Sequence, residues 1–196
     1  MTQTENDTFI ISDTHFSHEN ILTFDREDGQ KVRPGFSCVE EMDEYIVNKW
    51  NSVVKPHDKV YHLGDVVMKK RYIDVVKRLN GRKRLIMGNH DIFGFQFYAE
   101  YFDEVYAMRI LPKEGIMMSH IPMHLHSIKR GFINVHGHIH ERIIGQDTRM
   151  VLGHISDQHP FYFNACVEHH DFTPVSYDII KDKIKKISES AYLYHQ

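Results

Sequence analysis

The sequence predicts an α/β layered fold built around a mixed sheet. The first ninety residues alternate between short β-branched or aromatic runs and longer stretches of helical period. The second half carries further short apolar runs separated by Gly and Pro, as a strand-rich half would. Several of these runs stop at Asp, Asn or His, and in such sheets ligands gather beyond the carboxyl ends of the strands.

The first strand is predicted at "TFIIS", Thr8 to Ser12, which stops at "DTH". A helix follows. Ser37 and Glu40 have capping-box spacing. Val39, Met42, Ile46, Trp50 and Val53 then recur at three- and four-residue steps, giving one apolar face. The second strand is "DKVYHLGD", with Val60, Tyr61 and Leu63 ahead of Gly64. "YIDVVKRLN" reads as a second helix ending at Gly81. The third strand is "KRLIMGNHD", with Leu85, Ile86 and Met87 ahead of Gly88. "DEVYAMRIL", "GIMMSH", "FINVHGH" and "FYFNACV" are further strand candidates, and "DKIKKISESAYLY" is compatible with a strand or a short helix. With no linker or repeat in view, residues 1–196 are expected to form one domain.

Composition narrows the function. The chain is 41% hydrophobic and 26% charged, an ordinary globular balance, with no apolar run of membrane-spanning length. The first residues lack a basic flank and a long apolar stretch, so no signal peptide is expected. Two cysteines, Cys38 and Cys166, do not make a disulfide framework, so a reducing cytoplasm is the expected compartment. A net charge of -3 argues against a dedicated nucleic-acid-coating protein. Lys69, Lys70, Arg71, Lys77, Arg78, Arg82, Lys83 and Arg84 form a basic segment, but few aromatics interleave with it, and a solvated helix face with strand flanks explains it. Histidine is the outlier, with 16 copies.

Many of the polar side chains collect at predicted strand ends: Asp13 and His15, then Asp65, then Asn89, His90 and Asp91, then His120, then His138 and His140. Imidazoles, carboxylates and an amide oxygen suit a pair of divalent metals, with one carboxylate shared. Two metals held close together can activate a water and stabilise attacking and leaving oxygens, which is chemistry for hydrolysing a phosphate ester.

"DTH", "GD", "GNHD", "SH" and "GHIH", in this order, resemble the five blocks of the calcineurin-like metallophosphoesterase superfamily, over residues 13 to 140. "SDTHFSHENIL", "EEMDEYIVNKWN", "VYHLGD" and "PVSYDII" are similar to a subfamily of small single-domain bacterial and phage phosphoesterases. The resemblance implies a four-layer α/β/β/α sandwich with mixed sheets and two divalent ions, Mn, Fe or Zn. It implies that Asp13, His15 and His140 hold the first, Asn89, His120 and His138 hold the second, and Asp65 bridges. A metal-bridging hydroxide would attack phosphorus while His90, which holds no metal, stabilises charge or protonates the leaving oxygen. One departure stands out. The block reads "GDVVMKK", with Met68 where the phosphatase branches carry the Asp that orients their catalytic His. Asp91 is then expected to be structural or to support the ligands. With little chain left for a cap domain, phosphodiesters or nucleotides are the expected substrates. Monoesters and nucleic-acid ends stay open, and a non-catalytic metal-binding scaffold is the rival from another class.

His18, Arg33 and His124 are candidate substrate contacts: His18 near the metals, Arg33 by forking onto a phosphate, and His124, with His126, by lining the pocket. Within "NVHGHIHERI", residues two apart in extended chain face the same way, so His138 and His140 should both face the metals. Gly137 would let the backbone come close, and His136 is read as structural or supporting.

Overall fold

The structure, a computed structural model, describes residues 6–145, 150–153 and 158–193. Strands β1 (Thr8–Ile11), β2 (Lys59–His62), β3 (Arg82–Ile86) and β4 (Glu104–Tyr106) run parallel in one sheet. It is completed by antiparallel β11 (Val175–Ser176) beside β1, in the order β11-β1-β2-β3-β4. A second sheet has the order β10-β7-β6-β5, from Tyr162–Asn164, Ile133–His136, Ile116–Met118 and Arg109–Leu111. There β10, β7 and β6 are parallel and β5 is antiparallel. A separate ribbon pairs β8 (Arg142–Ile144) with β9 (Met150–Leu152). The class is α/β with mixed sheets, as the alternation predicts.

Period two sorts the side chains of the first sheet to opposite faces. On one face Phe9, Ile11, Val60 and Leu85 meet α1 (Val39–Val53), which buries Val39, Met42, Ile46, Val47 and Trp50. Ile73 and Val76 of the helix over Lys70–Arg78 join them. On the other face Ile10, Tyr61 and Ile86 meet Ile116, Met118, Ile133, Val135 and Phe163 of the second sheet. Tyr177 and Ile180 of α3 (Tyr177–Leu193) enter that same core, and the "DKIKKISESAYLY" stretch is helical as far as Leu193. A short α2 (Phe95–Tyr98) follows the third strand.

Three local expectations change. The Lys70–Arg78 helix is of the 3-10 type. The residue at the start of α1 is Cys38, and Ser37 donates its backbone N–H to Glu41 Oε2 at 2.7 Å, so the acidic partner lies one residue beyond the capping-box position. "DEVYAMRIL" splits between two sheets, β4 in the first and β5 in the second. The basic segment is largely spoken for: Arg78 forks onto Glu44, Lys77 pairs with Asp74, Arg84 with Glu104, and Lys83 caps the carbonyls of Leu79 and Gly81. No helix among the described residues is long and apolar enough to cross a membrane.

The two sheets are stitched together at their carboxyl edges. Ser12 donates its N–H to the Ala165 carbonyl, Ala165 donates to His136, and Val167 donates back to Ser12. The end of β1 is thereby fixed against the ends of β10 and β7. That stitch brings residues from distant parts of the chain to one edge.

Candidate metal centre

Each strand hands its polar group to a turn at that edge. Asp13, His15, Asp65, His138 and His140 all have positive φ, between 49° and 73°. This left-handed backbone is sparsely populated by residues other than Gly, and costs about 1–3 kcal/mol per residue unless the surroundings enforce it. Five such residues at one edge point to a site for which strain is tolerated. They also correct the extended-chain argument. β7 ends at His136, and His138 and His140 face the centre because left-handed turns aim them, not because strand alternation does.

Two groups of side chains here could each hold a metal ion. Asp13, His15 and His140 form one, and Asp65, His120 and His138 the other, with ligand atoms within 4.8 Å of one another in each group. Asp65 Oδ2 lies 3.6 Å from His15 Nε2 and 3.3 Å from His120 Nε2, so one carboxylate oxygen faces both groups. Asn89, at the exposed lip, places Oδ1 2.9 Å from His120 Nε2.

At Asp13, Asp65, His120 and His140 the protein holds one side-chain atom and leaves another facing the centre. Asp13 Oδ2 accepts from Ser12 Oγ at 2.5 Å, from the His138 N–H at 2.9 Å and from Cys166 Sγ at 3.2 Å, while buried Oδ1 has no hydrogen-bond partner and faces His15 Nε2 at 3.7 Å and His140 Nε2 at 3.9 Å. Asp65 Oδ1 accepts from the His90 N–H at 2.9 Å. His120 Nδ1 sits 2.7 Å from the Leu63 carbonyl and must donate to it, so a neutral ring turns its Nε2 lone pair toward Asn89 Oδ1 and Asp65 Oδ2. Three acceptors facing one another want a cation between them. Both ring nitrogens of buried His15 are likewise without a hydrogen-bond partner. The donor set of imidazoles, carboxylates and an amide fits a pair of divalent ions.

Without such ions, burial pulls His120 down, but the hydrogen bond to Asp65 and the charges of Asp13 and Asp65 outweigh it and hold the ring above its ordinary value. Burial pushes Asp13 up, yet the surrounding imidazoles keep it well below the carboxylate range. Burial likewise opposes ionisation of Asp65, and His120 brings it down.

Close approach of backbone to ligand explains the glycines. A Cβ on Gly137 would stand 2.0 Å from Ser12 Oγ and 2.3 Å from Asp13 Oδ2, and one on Gly88 would stand 2.2 Å from Asp65 Oδ1. Both sites exclude any side chain.

Around this centre lies a supporting layer that the sequence motifs only partly reveal. Glu168, buried in the turn after β10, accepts from His140 Nδ1 at 2.8 Å and pairs with Arg33 Nη2 at 2.8 Å. Burial alone would lower His140, but Glu168 carries it up to about 9. Burial alone would raise Glu168, but Arg33 and then His140 bring it down to about 2. Arg33, expected to fork onto a phosphate, is instead buried with its remaining N–H groups on the carbonyls of Thr14 and Asp13. Both ends are occupied, so it supports the first turn from behind. Asp91 turns inward and accepts the N–H groups of Asp65, Val66 and Gly88 at 2.7–3.1 Å, locking the second turn to the third. His62, from β2, accepts from Gly64 N at Nδ1 and therefore donates from Nε2 to Thr14 Oγ1 at 2.9 Å. Asp43 of α1 holds the N–H and hydroxyl of Ser17. His136 is buried against Tyr162 with Nδ1 3.0 Å from the Gly137 carbonyl, and it belongs to neither ligand group. Nothing in the local pattern around Glu168 or His62 singles them out, since each earns its place through a partner more than 25 residues away.

The other candidates ring the opening. His90 is exposed, with its ring 5.7 Å from that of His15. His18 stands 5.4 Å from the His15 ring and edge-on to Phe24. Burial and then the neighbouring imidazole of His15 push it down to about 4. His124 is exposed further out, stacked on His126 at 5.4 Å.

No family model matches the chain. The uncharacterized protein MJ1445 of Methanocaldococcus jannaschii is 33% identical over 190 residues, 91% of either chain. The gene 66 protein of Mycobacterium phage L5 is 35% identical over 89 residues, 43% of this chain and 39% of its own. Among solved structures, the Aquifex aeolicus protein of unknown function AQ665 superposes with a TM-score of 0.65 at 30% identity, over 90% of this chain and 98% of that one.

Proposed function

The chain belongs to the family of the Methanocaldococcus jannaschii protein MJ1445, and we propose that it is a dinuclear metal-dependent phosphoesterase of the calcineurin-like superfamily, with the four-layer architecture that such membership implies. One observation carries the reading: Asp65 Oδ2 faces the imidazoles of both ligand groups, at 3.6 and 3.3 Å, as a bridging carboxylate must. Asp13, His15 and His140 would hold one ion, and Asn89, His120 and His138 the other. Two divalent ions bound there would supply an activated water and draw charge from the phosphate oxygens.

The remaining chemistry belongs to the chain. Hydrolysis forms one P–O bond from water and breaks one ester P–O bond, and the departing oxygen needs a proton. His90 is the group free to give it, because its ring is exposed beside His15 and its backbone N–H is tied to Asp65. Asp91 and Glu168 hold the ligand turns still, so little reorganisation is needed as charge develops. Phosphodiesters or nucleotides are the proposed substrates, including nucleic-acid ends, and a reducing cytoplasm suits two unpaired cysteines.

Metal analysis together with hydrolysis of bis(4-nitrophenyl) phosphate tests this. Wild type should bind two ions per chain and turn over with Mn, Fe or Zn, and chelation should silence it. Asp65→Asn should lose at least a hundredfold in kcat with its circular dichroism unchanged. Wild-type turnover by that variant would sink the reading.

A further inference from the structure

We infer that the centre takes a phosphodiester carrying a planar organic group on each side, one in each of two clefts that flank His138. This rests on the phosphoesterase reading and deepens it. One cleft, about 380 Å³, runs past His138 and His140 and is walled by Ile21, Phe24 and Val32. The other, about 420 Å³, is also lined by His138 and is walled by Met123, His124 and Leu125. They share His138, Ile139 and Met150, so one ligand of the candidate centre stands in the wall of both. Each is the size of a small-molecule site.

Their linings are apolar where the core does not require it. Phe24 is 48% exposed, Ile121 53% and Met150 55%, and all three border these clefts. Exposed apolar surface beside a polar centre marks a place where something apolar binds. Each cleft also offers a flat face. Phe24 stands in the first, its ring steadied edge-on by His18. His124 stands in the second, its ring backed by His126. Planar groups stack on such faces with little sequence or chemical selectivity.

A phosphomonoester has one organic group and leaves one cleft without an occupant. A diester fills both, and hydrolysis returns a monoester from one cleft and an alcohol from the other. The two clefts are not equivalent. Among the described residues, Asp25, Glu141 and Arg142 line the first, whereas no carboxylate, Lys or Arg lines the second. The first therefore suits an arm bearing hydrogen-bonding groups, and the second a plainer ring.

The test compares Phe24→Ala and His124→Ala, both at exposed positions, with wild type. Bis(4-nitrophenyl) phosphate should show KM raised roughly tenfold in each variant, with kcat within about twofold. Methyl 4-nitrophenyl phosphate, with one ring, should be weakened by only one of the two changes. Diphenyl phosphate binding to the metal-loaded protein, followed by calorimetry, gives a readout independent of turnover and should fall in both. The inference is overturned if 4-nitrophenyl phosphate is used as well as the bis ester, or if neither variant alters KM or diphenyl phosphate binding. Should the protein hydrolyse no ester with any metal, the phosphoesterase reading fails. Diphenyl phosphate binding that drops in both variants would still uphold the clefts.

Discussion

Replacing Glu168 with Ala should be among the most damaging single changes outside the ligands themselves. The Arg33 side chain is fully buried, and among the described residues Glu168 is its only carboxylate ion-pair partner. The carbonyls of Thr14 and Asp13 remain to it, but they carry no charge. Breaking a buried ion pair from one side typically costs about 3–5 kcal/mol, because the surviving charge is left without compensation. The displacement of Glu168 from its ordinary value to about 2 corresponds to roughly 3 kcal/mol, a consistent magnitude. The matching rise of His140 describes part of the same interaction and is counted once. Urea unfolding of chelator-treated protein measures the loss. The double variant Glu168→Ala with Arg33→Met removes both charges, so its cost should fall short of the sum of the single changes by about 1–3 kcal/mol. Because Glu168 also orients His140, Mn affinity should drop about 10- to 100-fold at one of the two sites and stay near wild type at the other. A single-variant cost below about 1 kcal/mol, strict additivity, or equal weakening of both sites would refute this account of the network.

Gly137→Ala should displace the Asp13 carboxylate, since the new methyl would sit 2.3 Å from Oδ2, and should cost about 1–3 kcal/mol by overpacking. Titration with Mn should then show the first site weakened, and unchanged affinity would contradict the close approach. Asp91→Ala leaves three backbone N–H groups without their acceptor, at about 1–3 kcal/mol each if they stay dry, and a midpoint within error of wild type would remove Asp91 from its clamping role. Burial holds His62 near 3 and His136 near 4 in the folded protein, whereas unfolded histidine titrates near 6.5. The unfolded chain therefore binds more protons once pH drops below 6.5. Stability of the chelator-treated protein should fall by about 1.4 kcal/mol per pH unit for each of the two as pH goes from 6 towards 4, and a flat urea-midpoint profile would count against both assignments.

The alternation of β-branched runs with a helical stripe was enough to set out β1, α1, β2 and β3, because these elements write their burial into period two and period 3.6. "TFIIS" and Val39/Met42/Ile46/Trp50 need no partner to be legible. The polar residues at strand ends were equally legible as a group, since a carboxylate or imidazole directly after an apolar run has few other reasons to be there. Local pattern does not carry the meeting of those ends. The stitch from Ser12 to Ala165 and Val167 joins residues more than 150 positions apart, and with the bond from the His138 N–H to Asp13 Oδ2 it holds the turn after β7 against Asp13. Nor does pattern carry backbone hand: His138 and His140 face inward through left-handed turns that strand alternation does not describe. Arg33 shows the limit most clearly. In the chain it is a loop arginine beside a proline, and in the fold it is a buried cation whose partner, Glu168, lies 135 residues on. Periodicity reports whether a side chain is buried, but whether a buried charge supports a site or binds a ligand depends on which distant group the fold sets opposite it.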